Sequence, residues 1–196
     1  MANQMNLLKL RSWEAHDEIN LYSTAESPIT KGTVVEYSAA NPDNHNGFGE
    51  TFTNVPGYAF SKDYIVNWKV TAASAYSKKI AGMLVYDVIT NLTDPWTIDA
   101  RWADPAKLAE KQLVISGRAV PFVTRGFFEV SGIDISSGSA GPGPGTGACL
   151  SHSGNGIIAT CNPAGDIGDL RPRLGTFMSS TGSNGGVYLR FAIPNH

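Results

Sequence analysis

Leu113-Val114-Ile115-Ser116, Ala119-Val120-Pro121-Phe122-Val123 and Phe127-Phe128-Glu129-Val130 follow one another with only Gly117-Arg118 and Thr124-Arg125-Gly126 between them. Branched and aromatic side chains suit a pleated, half-buried surface, and glycine punctuates it, so this stretch predicts one strand interrupted at Gly117 and a second after Gly126. Turn signals recurring every 8–12 residues or so mark a sandwich or barrel. Upstream the same texture returns in Thr33-Val34-Val35-Glu36-Tyr37-Ser38, in Tyr64 to Thr71 and in Ile80 to Thr90, the last containing Gly82. Downstream it returns in Gly156 to Thr160, Leu174 to Met178 and Gly186 to Ile193, where apolar and polar residues alternate up to Pro194. The expectation is an all-β, mainly antiparallel fold, a single β-barrel or sandwich-like domain with one short helix and an N-terminal arm. Asp104 before Pro105 supplies a cap and a first-turn residue, which places that helix over Pro105 to Gln112.

Residues 1–30 mix a few apolar side chains with Asn, Ser, Thr and Glu and read as the arm, leaving 31–196 as the β-rich domain. On this division a chain lacking Met1 to Ser27 keeps a folded core. Asn41 to Gly57 reads as a long turn-rich loop, and Ser136 to Gly147 as a flexible glycine-rich one; its glycines recur every second residue, not every third as collagen needs.

Composition narrows the function classes. The chain has 196 residues, 42% hydrophobic and 16% charged, a balance that can bury a core and is unlike that of a disordered chain. Lys plus Arg total 15 against 17 Asp plus Glu, a net charge of -2 with the basic residues scattered, so nucleic acid is not an expected partner. The apolar run Ile80 to Tyr86 is far short of the ~20 residues that span a bilayer, and the N-terminus lacks a basic region followed by an apolar stretch. Neither a membrane partner nor Sec export is expected.

The usual signatures of a nucleophile beside a base, of a phosphate-cradling loop and of a dinucleotide site are absent, and no cofactor is expected. Cys149, His152, Cys161 and Asp166 are the candidates for a tetrahedral zinc site; the same two cysteines also suit a disulfide across a hairpin, or free thiols. Asp94, Asp99, Asp104 and Glu110 are close in sequence and are the candidates for a glycosidase's two carboxylates, but Asp94 and Asp104 precede prolines as turn or cap residues and Glu110 falls on the helix's outer face. Asp43 to Gly47 has His45 at a ligand position of a calcium loop and no closing glutamate, so it reads as a turn. Asn91-Leu92-Thr93 matches a glycosylation sequon without an expected route to the glycosylation machinery. Of the tryptophans, Trp96 and Trp102 lie in a segment broken by Asp and Pro and read as surface-facing.

Lys31 to Glu36, Ile80 to Val85, Val114 to Gly126, Leu174 to Phe177 and Val187 to Phe191, in this order, resemble the head decoration (capsid cement or stabilisation) proteins of tailed bacteriophages. The resemblance runs from Lys31 to Ile193 through short, glycine-anchored pieces. It implies a non-enzymatic virion protein, a homotrimer on the outer capsid surface, that bridges neighbouring major capsid protein subunits. On that reading Leu7, Leu8, Leu10, Trp13, Ile19, Leu21 and Tyr22 of the arm, with Trp96 and Trp102, are the expected capsid or subunit contacts. The alternative is a carbohydrate or host-receptor binding module of a tail or fibre.

Overall fold

The computed structural model describes residues 7–9, 18–24, 28–40, 68–89, 112–115, 119–135, 141–161, 171–183 and 185–193. Among them are thirteen strands: β1 (Leu7–Lys9), β2 (Glu18–Thr24), β3 (Val34–Ala40), β4 (Trp68–Ala72), β5 (Ile80–Leu84), β6 (Asp87–Ile89), β7 (Leu113–Ile115), β8 (Ala119–Val123), β9 (Arg125–Val130), β10 (Gly147–Leu150), β11 (Ile158–Thr160), β12 (Arg173–Phe177) and β13 (Val187–Ala192). No described residue is helical. The fold is all-β and mainly antiparallel, as the sequence predicts.

Five strands close a barrel in the order β2-β4-β3-β5-β8, and six form a sheet in the order β1-β9-β13-β12-β10-β11. Two cores result. Val35, Val70, Ala81, Leu84, Val120 and Phe122 fill the barrel. Val34, Ile80, Met83 and Val123, on the outside of the same barrel, pack against Phe128, Val130, Leu150, Ile158, Leu174, Phe177, Val187, Leu189 and Phe191 of the sheet. Successive strand residues point to opposite faces, so Val34 and Val35 each serve a different core. In β5 all five residues are buried, and the ladder Val34↔Met83, Val35↔Gly82, Glu36↔Ile80 skips Ala81. That bulge lets Ile80 and Met83, three residues apart, face the same core. Gly82 is required there: a Cβ would strike the Phe122 ring and lie 2.6 Å from the Val123 carbonyl oxygen. Gly156 is held by a different demand, with φ of 67° and its N–H and C=O bonded to Ala73 and Val34 across the junction of barrel and sheet.

The interrupted strand expected over Leu113 to Val123 is two strands in different sheets. β7 runs parallel to β6, apart from the barrel wall, and Val88 of β6 with Ile29 joins the barrel's apolar cluster, where Val114 packs on it. β8 stays in the wall, and the chain then crosses at Thr124 into β9 of the sheet. Pro121, which has no N–H to give, lies opposite the register shift between Ile19 and Tyr22 of β2. The run Ile80 to Thr90 also divides, at Val85 and Tyr86, into a barrel strand and β6. The reason is shared by both: an apolar run records burial and says nothing of which sheet buries it.

Residues 1–30 are not simply an arm. β2 lies in the barrel wall between β8 and β4, with Tyr22 opposite both Val120 and Trp68, and β1 lies along β9. The polar composition of this segment hides the pairing because ladder bonds come from the backbone. Of the expected helix only Gln112 is described; its φ of 54° is left-handed, and its carbonyl accepts from the Asp87 amide at 2.9 Å. Asn41 to Gly57 and residues 136–140 lie outside the described residues. The rest of the glycine-rich segment, 141–147, is a bonded turn, with Gly145 N–H to Phe177 O at 2.8 Å and Phe177 N–H to Thr146 O at 2.8 Å.

Leu189→Ala should cost about 2–5 kcal/mol in urea unfolding, because it empties a site between the layers, while Tyr188→Ala on the other face should stay within about 0.5 kcal/mol. A chain starting at Pro28 loses β2 and should show no cooperative unfolding transition; retention of the full-length transition would mean that the barrel closes without β2.

Candidate functional site

The hairpin β10–β11 and the residue just after it carry Cys149, His152 and Cys161 of the chemistry-bearing residues that the sequence singles out. Cys149 pairs with Ala159 in the ladder, which puts Cys161 on the same face two residues along. The two sulfurs are joined as a disulfide, with Cα atoms 5.3 Å apart, so the choice among thiols, metal ligands and disulfide falls to the disulfide. His152 points elsewhere: its Nδ1 is 3.1 Å from the Tyr76 hydroxyl and the two rings meet edge to face. Asp166 lies outside the described residues. Among the described residues no three His, Cys, Asp or Glu side chains gather as a metal site.

Ser151, fully buried, donates its hydroxyl to the Asp134 carboxylate. A hydroxyl has one proton, so the Ser153 hydroxyl, 2.7 Å away, must donate to Ser151, which also accepts the Ser153 amide at 3.1 Å. Asp134 is itself fixed by its amide, which donates to the Ile158 carbonyl at 2.8 Å. This network ties the segment after β9 to the hairpin. It is unlike a nucleophile–base relay, since the hydroxyl faces a carboxylate directly and His152 stands outside the network. Asp94, Asp99, Asp104 and Glu110, the sequon at Asn91 and the turn at His45 lie outside the described residues.

Among the described residues, besides Tyr37 and Ile135, large side chains turn outward at two places. At the loop end, Tyr76 is 56% exposed beside His152. On the outer face of the six-stranded sheet, β13 alternates buried Val187, Leu189 and Phe191 with exposed Tyr188, Arg190 and Ala192. Tyr188 and Met178 are 43% and 46% exposed and adjacent, since the Met178 amide bonds the Tyr188 carbonyl at 2.8 Å. Half-buried Phe127 and Glu129 lie opposite Arg190 and Tyr188. These residues escape a search for motifs; the alternation in β13 is the signal that exposes them, because every second residue of a half-buried strand faces out.

Of the contacts expected from the sequence, Leu7 and Leu8 lie in β1, opposite Val130 and Glu129 of β9. Ile19, Leu21 and Tyr22 lie in β2 as part of the barrel wall. Leu10, Trp13, Trp96 and Trp102 lie outside the described residues. No family model and no curated protein matches the chain.

Replacing both cysteines by serine should lower stability by about 3 kcal/mol, the loop-closure value for a link spanning 12 residues. Ser151→Ala should cost about 1–3 kcal/mol by leaving the Asp134 carboxylate short of a donor, and His152→Ala should have little effect; both are checked by denaturant unfolding.

Proposed function

We propose that this chain is a non-enzymatic structural protein of a tailed-phage virion, which decorates the outer capsid surface and stabilises it by bridging neighbouring major capsid protein subunits. The observation that carries the reading is the outer face of β9, β13 and β12, where Tyr188 and Met178 stand exposed on strands whose other face supplies Phe128, Leu174, Phe177, Val187, Leu189 and Phe191 to the core. A rigid sheet presenting apolar and aromatic side chains fits binding by surface contact, since large side chains on a fixed backbone bind with little loss of freedom. The disulfide is in keeping with a protein whose working life is spent outside a reducing cytoplasm. Many weak copies acting together on one shell give stability without any chemistry. A homotrimer of this chain would put three such faces on one local symmetry axis.

The test is the copy number of the chain in purified particles from its source, by quantitative mass spectrometry against the most abundant shell protein. A fixed, high ratio to the shell protein is expected, and absence of the chain from the particles overturns the reading. A handful of copies favours the second reading, a carbohydrate or receptor binding module of a tail or fibre. Exposed Tyr76 beside His152 favours it too, as an aromatic face on which a sugar ring can stack. In that case a glycan array should show a ligand whose binding is lost in Tyr76→Ala.

A further inference from the structure

We infer that the outer face of the six-stranded sheet docks an acidic polypeptide surface, with arginine pairing carboxylates around an apolar centre. This deepens the decoration reading, on which it rests for the identity of the partner. The face is built from alternate residues of three strands. β9 contributes Arg125, Phe127 and Glu129; β13 contributes Tyr188, Arg190 and Ala192; β12 contributes Arg173 and Thr176, with Met178 just beyond it. Arg125, Arg173 and Arg190 are all exposed. The register sets Arg190 between Phe127 and Thr176, and Arg125 opposite Ala192. Among the described residues of this face the sole acid is Glu129, whose carboxyl carbon lies against Gly186, 3.0 Å from where a Cβ would stand. The face is therefore locally cationic in a chain whose net charge is -2.

That contrast selects the occupant. A second copy meeting this face with its own would set Arg190 and its neighbours against their symmetry mates, and like charges in juxtaposition cost several kcal/mol. Nucleic acid is disfavoured because the chain's basic residues form no continuous stripe and a duplex phosphate backbone offers nothing to cover exposed Tyr188 and Met178. A carboxylate-bearing polypeptide meets both demands: guanidinium forks pair carboxylates bidentately, and Tyr188, Met178 and Phe127 supply the desolvated centre that gives such pairs their strength.

The experiment uses the full chain and three probes: shells assembled without this chain, poly-L-glutamate and duplex DNA. The chain should bind shells and poly-L-glutamate, and binding should weaken as sodium chloride shortens the Debye length from about 8 Å at physiological ionic strength. R125E/R190E should lose at least on the order of tenfold in affinity for both, and Tyr188→Ala should weaken shell binding, while Lys78→Glu at the loop end should change neither. Denaturant unfolding of each variant shows that the sheet is intact. Shell binding unchanged in R125E/R190E overturns the inference, as does preferential binding to DNA. So does a wild-type oligomer that R125E/R190E dissociates in sedimentation, since the face would then belong to a second copy. Arginine-dependent binding to poly-L-glutamate without binding to shells upholds the acidic-surface inference and overturns the decoration reading instead. Binding to neither probe overturns both.

Discussion

β5 is buried on both of its faces, and the rest of the architecture follows from that burden. One side of Ile80–Leu84 must complete the barrel interior while the other must seal the space beneath the six-stranded sheet. A strict two-residue alternation cannot serve both with the residues present, so the ladder to β3 absorbs one extra residue, Ala81, and the side chains after it change face. The approach of β8 to the same strand leaves no room for a side chain at Gly82. β3 shares the load through Val34 and Val35, which are adjacent in sequence and belong to different cores. Because both cores run through the same two strands, barrel and sheet form one folding unit and not two modules joined by a linker.

The covalent path reinforces this. β8 and β9 are separated by Thr124 alone, so a strand of the barrel wall continues directly into β9 of the sheet, between β1 and β13. At the far side, the turn of β10–β11 is held by Gly156 to β3 and to Ala73. The disulfide sits on the opposite face of that hairpin from Ala148, Leu150 and Ile158, which are already in the core. It reinforces a register that burial has set.

The polar groups are arranged for structure where they are buried and for contact where they are exposed. Ser151, Ser153 and Asp134 spend their hydrogen bonds on one another and on the backbone, while Arg171 gives one to the Leu150 carbonyl at 2.8 Å. The side chains turned outward on β9, β12 and β13 are mainly aromatic, apolar and cationic, with Thr176 and the single acid Glu129 among them. Such a molecule is suited to act by what it touches, and the decoration reading and its acidic partner both rest on that outward face.

The sequence by itself determined the class of fold and most of the strands. Phe127 to Val130 and Gly186 to Ile193 are legible because a half-buried strand writes its burial into alternate residues, whereas Thr33 to Ser38 and Leu174 to Met178, which do not alternate, are legible from strand-forming side chains bounded by glycine or proline. The outward residues of β13 were readable from that alternation too, although without a motif to name them. Tertiary structure alone decided the rest. It assigned Leu113–Ile115 and Ala119–Val123 to different sheets, took β2 from an apparent arm into the barrel, and turned Cys149 and Cys161 toward each other instead of toward His152. The physical reason is common to all three: periodicity reports that a residue is buried, whereas the partner that buries it is chosen by strand pairing between backbones, which all residues share and the sequence does not label.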